Sequence, residues 1–387
     1  MKSKPPEQST SSPYSEEFLL ADDIYYLNHA AVAPWPQRTA RAVSAFAQEN
    51  MTCGAQHYLK WLKRERNLRE SLARLLNTPS PDDIALLKNT SEALSVVAYG
   101  IDWQPGDNIV SYAEEFPSNR IVWESLASKG VELRLVDLAD SKEPEADLTA
   151  RCDERTRLIT VSSVQYARGL RIDIDKIGAF CHTNNILFCV DAIQSLGALP
   201  LDVQRCHADF VMADGHKWML APEGLALFYC RAEIREQLSL NQFGWHMVDR
   251  PGNYDTTEWQ PSPTATRFEC GSPNMMGIHA LQASLSLIED VGLETISNRI
   301  FNNVKLLVEL IDDIDRSKLL SPRERRRQSG IVTFAITDAD HTQLYRYLMQ
   351  NGVICAQRGG GIRFSPHFYT TAEHIHSAID ILNNYKE

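Results

Sequence analysis

Short apolar runs alternate with longer helical patterns along most of the chain. Residues 84–87, 108–111, 157–162, 186–191, 209–213 and 225–229 read as buried strands. Residues 131–136 alternate apolar and polar positions, as a half-buried strand does. Helical patterns cover residues 38–76, open at Thr90-Ser91-Glu92, and recur over 173–184. Strands and helices in alternation predict a mainly parallel sheet with helices on both faces. A Pro-rich aromatic stretch, 259–268, interrupts the pattern, and a long helical one follows from Asn274 to about Asp312. The remainder reads as α+β: a strand at 331–336, a helix at 341–351, a hairpin-like segment to Arg363, and a helix at 372–385. The division expected is an N-terminal arm (1–25), a large domain (26–273) and a small domain (274–387).

Composition narrows the function classes. The chain has 387 residues, 39 basic and 50 acidic, with a formal net charge of -11. A polyanion binder carries a basic surplus, so nucleic acid is disfavoured. No apolar run approaches the ~18–20 residues that span a bilayer, so no membrane span is expected. Residues 1–17 are polar and Pro/Ser-rich and read as a loose arm without a secretory signal. Eight cysteines, none in C-x-x-C spacing, read as reduced and mostly buried, which points to a cytoplasmic protein.

Ligands of doubly wound sheets bind beyond the carboxyl ends of the strands. Polar residues predicted there include Thr90, Ser91, Glu115, Ser163, Asp191, Gln194 and the run Asp214-Gly215-His216-Lys217. G-x-G-x-x-G, the P-loop, H-E-x-x-H and G-x-S-x-G are all absent. Lys217 stands among apolar and aromatic neighbours, and desolvation there favours the free amine that forms a Schiff base. Asp191 ends a strongly apolar strand, where a carboxylate is costly unless it meets a positive group. A protonated pyridine nitrogen is such a group, and pyridoxal phosphate enzymes pair a lysine with an acid in this way. Thr90-Ser91 at a helix start supplies hydroxyls and free N–H groups for a phosphate, although the same pattern also serves as an ordinary cap. Taken alone, Lys217 reads as a surface lysine; the combination with Asp191 and Gln194 changes that.

These pieces occur in the order Tyr26-Leu27-Asn28-His29-Ala30-Ala31, Asn89-Thr90-Ser91-Glu92, Glu115-Phe116-Pro117-Ser118-Asn119, Val190-Asp191-Ala192-Ile193-Gln194, Asp214-Gly215-His216-Lys217, residues 267–274 and Gly361-Ile362-Arg363-Phe364-Ser365. The set resembles the class V aminotransferase and cysteine desulfurase family of pyridoxal phosphate enzymes, fold type I, from about Tyr26 to the C-terminus. The resemblance implies a large cofactor domain with a mainly parallel, seven-stranded-type sheet, a smaller α+β C-terminal domain, and a homodimer with the active site at its interface. It implies that Lys217 holds pyridoxal 5'-phosphate as an internal aldimine and then removes the α-proton of an amino-acid substrate. Asp191 would stabilise the resulting quinonoid through the ring nitrogen, and Gln194, with Ser163, would bond the phenolic oxygen. Phe116 would stack on the ring. Thr90, Ser91 and His216 would hold the phosphate, and Ser272 would reach the phosphate of a neighbouring subunit. Arg363 would take the substrate carboxylate as a two-pronged fork, with Asn28 and His29 near the substrate. No metal site is expected.

The chain departs from the desulfurase pattern in three places. Phe116 stands where desulfurases stack a His. Residues 358–363 leave no room for the loop that carries their reactive Cys, and Cys355 reads as a packing residue. Asp214 stands where many relatives have Ser against the phosphate. These departures resemble the isopenicillin-epimerase-like and C–S-lyase-like branches. Transamination, β-elimination and epimerisation remain open outcomes, with a non-catalytic relative as a further alternative.

Overall fold

The computed structural model describes residues 14–138, 141–255 and 257–386. Most of the expected arm, residues 1–13, lies outside them. The described part of it packs: the Tyr14 ring meets Phe368 edge-on, and Glu17 accepts from Arg38 at 2.7 Å. A two-residue strand, β1 (Tyr25–Tyr26), leads into helices α1 (Gln37–Cys53) and α2 (Tyr58–Leu76). The helical pattern of 38–76 is therefore broken. Gly54 takes φ +56° there, a conformation that side-chain-bearing residues rarely adopt.

The central layer follows as β2 (Ile84–Leu87), α3 (Thr90–Gly100), β3 (Asn108–Tyr112), α4 (Ser118–Glu124), β4 (Glu132–Val136), α5 (Pro144–Thr149), β5 (Thr156–Ser162), α6 (Ile174–Asn184), β6 (Leu187–Asp191), β7 (Phe210–Asp214) and β8 (Ala226–Cys230). These strands form one seven-stranded sheet in the order β2-β8-β7-β6-β5-β3-β4. Strands β3 to β7 run parallel, and β8 is antiparallel to both its neighbours. The apolar runs are continuous because both faces are covered. Phe188 and Val190 face a core with α2, α6 and a later helix; Cys189, Phe210 and Met212 face a second core with α3 and α4. By the same alternation Ser162, Asp191 and Asp214 end their strands on the α3 side.

After α7 (Ala232–Arg235) and the irregular 236–274 segment come α8 (Met275–Val291) and α9 (Leu293–Asp312). The single helix expected over 274–312 is split at Gly292, φ +82°. A four-stranded antiparallel sheet, β12-β13-β10-β9, completes the chain, built from β9 (Ser317–Leu319), β10 (Val332–Ile336), β12 (Ala356–Arg358) and β13 (Gly361–Phe364). It packs with α9, α10 (His341–Gln350) and α11 (Ala372–Asn383), while β11 (Val353–Ile354) pairs in parallel with β1. Among the described residues no helix is long and apolar enough to cross a membrane.

Candidate active site

Adjacent parallel strands β6 and β7 deliver Asp191 and the Asp214–Lys217 turn to one edge of the sheet, beside the N-terminus of α3. The turn is held from three directions. Ala33 N donates to His216 O at 2.8 Å, His367 Nε2 meets Trp218 O at 3.1 Å, and Trp218 Nε1 donates to Gln194 Oε1 at 3.0 Å. Gln194 Nε2 also donates to Ala30 O at 3.0 Å. Leu220, fully buried, sits at φ +62°, a strained conformation three residues beyond the lysine.

Lys217 Nζ lies 5.6 Å from the centre of the Phe116 ring, which meets Tyr166 edge-on. Burial, together with the charge of Arg363, lowers the Lys217 pKa to about 8, against the opposing pull of Asp191 and Asp214. Asp191 accepts from Ile193 N at 3.0 Å, and burial raises its pKa to about 6 while the Lys217 charge lowers it. Glu115 joins this group; sequence reasoning placed it at a strand end without a role. Burial raises it to about 7 although Ser162 N–H and Oγ–H both donate to it.

The phosphate candidates converge at α3. Asn89 caps the helix by accepting from Glu92 N at 2.9 Å, and Asp214 Oδ1 accepts from Thr90 N at 2.8 Å. Ser91 Oγ donates to Ser118 Oγ at 2.9 Å. Thr90 Oγ1 and His216 Nδ1 are buried without a hydrogen-bond partner. Burial and the neighbouring Lys217 charge lower the His216 pKa to about 4.

Arg363 enters from β13 and is buried. Its Nη1 donates to Tyr166 O at 2.7 Å, and its Nε has no partner. Burial, reinforced by the Arg358 charge, lowers its pKa to about 10. No carboxylate pairs with it among the described residues. A buried guanidinium without a counter-charge calls for an anionic ligand. Asn28 Oδ1 is a further buried atom without a partner.

Three sequence candidates sit differently. His29 is fully buried in the packing of the 27–31 segment, with Nδ1 at 2.8 Å from Ser365 O and Nε2 at 2.6 Å from Tyr369 Oη. Ser163 bonds Ser195 Oγ at 2.6 Å and lines a small cavity with Arg171 and Asp175. Ser272 is exposed beside Lys88 and Glu92, around a separate surface cavity. A cavity of about 710 Å³ adjoins Glu115, Tyr166, Arg168 and Gly359, between the end of β5 and the β12–β13 hairpin. The structure also gathers Glu65, His246 and Glu269, which their sequence spacing conceals. Arg69 already pairs with both carboxylates at 2.5–2.8 Å and supplies their counter-charge.

The residues present fit pyridoxal phosphate: partnerless donors at a helix N-terminus, a lysine of lowered pKa and a buried acid on the next strand. The fold with such a site is that of the fold type I pyridoxal phosphate enzymes. A family model for class-V aminotransferases matches residues 25–377. A protein of Methanothermobacter thermautotrophicus named as a probable cysteine desulfurase is 30% identical over 92% of this chain and 93% of its own. The chain belongs to the class-V aminotransferase family, whose members are pyridoxal phosphate enzymes. Among solved structures, the apo cysteine desulfurase from Thermococcus onnurineus NA1 has TM-score 0.86 at 23% identity, covering 96% of this chain and 98% of that one. The cystine C-S lyase C-DES, in complex with cysteine persulfide, has TM-score 0.86 at 22% identity, covering 95% and 99%. At these identities the likeness is one of fold.

Proposed function

We propose that the protein is a pyridoxal phosphate-dependent C–S lyase that eliminates the sulfur of a cysteine-like amino acid without an enzyme persulfide. The relatives named as cysteine desulfurases support a sulfur-bearing substrate. The observation that carries the elimination reading is the state of the thiol nearest Arg363. Cys355 is buried, its pKa is pushed up to about 12 chiefly by burial, and β12 and β13 are joined across Gly359-Gly360 alone. A nucleophilic sulfur acceptor needs an exposed thiolate of lowered pKa.

Bound here, pyridoxal phosphate supplies an electron sink for a substrate carbanion. Lys217 is the residue that attaches the cofactor and then, as a free amine, takes the proton from the substrate α-carbon. Asp191 accepts a hydrogen bond from the ring N–H, Gln194 donates its remaining Nε2–H to the phenolic oxygen beside Ser163, and Phe116 covers the ring. Thr90, Ser91 and His216 hold the phosphate, with Ser272 contributed to the site of a second copy in a homodimer. Arg363 binds the α-carboxylate beside Asn28, while His29 holds the 27–31 segment in place through Ser365 and Tyr369. The same reading keeps residues 26–273 as the cofactor domain and 274–387 as the small domain that brings Arg363, and it places the protein in the cytoplasm.

A panel of amino acids tests the reaction. Pyruvate and ammonia, with sulfide from cysteine or cysteine persulfide from cystine, released with no second substrate is the expected result. Turnover only on addition of a 2-oxo acid makes the enzyme an aminotransferase instead.

A further inference from the structure

Asp214 stands among the donors that the phosphate of the proposed cofactor would use. Its Oδ1 takes the Thr90 N–H at 2.8 Å, one of the first-turn donors that α3 offers to an anion. Its Oδ2 lies 3.5 Å from His216 Nδ1. Asn89 takes the Glu92 N–H, so Ser91 N–H is the first-turn donor left without a partner among the described residues. Thr90 is 96% buried. Its hydroxyl, which has no hydrogen-bond partner, adds an independent sign that this pocket is built for a ligand.

A carboxylate and a phosphate dianion here compete for the same donors and repel each other. The Asp214 side chain is 12% exposed, so swinging out into water is blocked. The charged and titratable groups facing it are His216 and Lys217 from its own turn and Asp191 from β6. From α3 it faces the helix N-terminus, because Glu92 turns back onto Lys88 N. From β8 it faces Ala226, which carries no charge. Protonation relieves the conflict. A neutral carboxyl still accepts from Thr90 N through Oδ1 and donates its Oδ2–H to a phosphate oxygen.

We propose that Asp214 binds the cofactor phosphate as a neutral hydrogen-bond donor, so that the site takes up one proton from solvent when a phosphate dianion enters. This rests on the pyridoxal phosphate reading above. Burial already raises the pKa of Asp214 to about 7 before any phosphate is present, further supported by the Asp191 charge. The proton is therefore available near neutral pH.

The test uses the full chain freed of cofactor and titrated calorimetrically with pyridoxine 5'-phosphate, which has no aldehyde to react with Lys217. At pH 7.5, in two buffers of different ionisation enthalpy, wild type should take up about three-quarters of a proton more than Asp214→Asn, which donates from its amide without titrating. Between pH 7.5 and 9, wild-type affinity should fall about tenfold per pH unit relative to the variant. Equal proton counts and parallel pH profiles overturn the proposal and leave the cofactor reading standing. Failure of wild type to bind overturns both. The pH profile of wild type alone decides the matter if the variant does not fold: affinity independent of pH across this range also overturns the proposal.

Discussion

Lys217 is surrounded by opposing influences: burial and Arg363 favour its neutral amine, and two carboxylates favour its ammonium. With its pKa near 8, about a quarter of it is free amine at pH 7.5. At saturating pyridoxal phosphate, the rate at which the stripped protein attaches it should rise with pH up to about 8 and then level, followed by the growth of the yellow cofactor band. Lys217→Ala should show no covalent adduct after borohydride reduction, read by mass spectrometry. Arg363→Ala should raise KM for the amino acid by about ten- to a hundredfold, the range expected for losing a hydrogen bond between charged groups, with a smaller change in kcat. Lys217 was legible in sequence at a strand end among apolar neighbours, whereas Arg363 came only with the family resemblance of residues 361–365. Glu115 was visible only as a polar residue at a strand end, and Asp214 only as a departure from the family pattern, without a contact. Their partners, Ser162 and Thr90, are 47 and 124 residues away, and no local pattern encodes such pairings.

At the scale of elements, the turn after β6 packs directly on the lysine turn. A Cβ on Gly197, at φ +96°, would lie 2.4 Å from Trp218 O. Gly197→Ala should therefore cost about 2–3 kcal/mol, measured by urea unfolding, and weaken cofactor retention as well. The segment carrying His29 makes a second joint. Burial lowers the His29 pKa to about 4, partly opposed by its bond to Ser365 O. The unfolded chain then binds more protons between pH 6.5 and 4, so His29 contributes stability that is full above pH 6.5 and is lost on acidification through that window. His29→Gln should be less stable than wild type at pH 7, and the gap between their thermal midpoints should narrow toward pH 4. The strands of the large sheet were legible because two covered faces force continuous apolar runs. Strands β1, β9 and β11 were not: each has two or three residues and owes its existence to a distant partner. The two helix breaks were written in Gly54 and Gly292, but helical periodicity runs through both and hides them.

Across the whole molecule, one hydrophobic cluster runs without interruption from Val190 and Val211 of the large sheet to Phe334 and Ile362 of the small one. A shared core predicts shared melting. Tryptophan fluorescence and far-UV circular dichroism should give coincident urea transitions in the cofactor-free protein; separated midpoints would show that the two sheets unfold independently. The net charge of -11 was read in sequence as disfavouring polyanions. The structure shows where the same chain keeps buried cations, Lys217 and Arg363, facing one site.

The 27–33 segment touches Gln194 and His216 on one side and Ser365 and Tyr369, 336 and 340 residues further along, on the other. During synthesis it leaves the ribosome long before those later partners exist. Contacts of such sequence separation close slowly and late. Arg363 emerges on the same schedule. The nascent chain can therefore pair most of the strands of the central sheet while His367, which helps hold the lysine turn, and Arg363 are still being translated. Assembly of the complete pocket is therefore an event that follows translation.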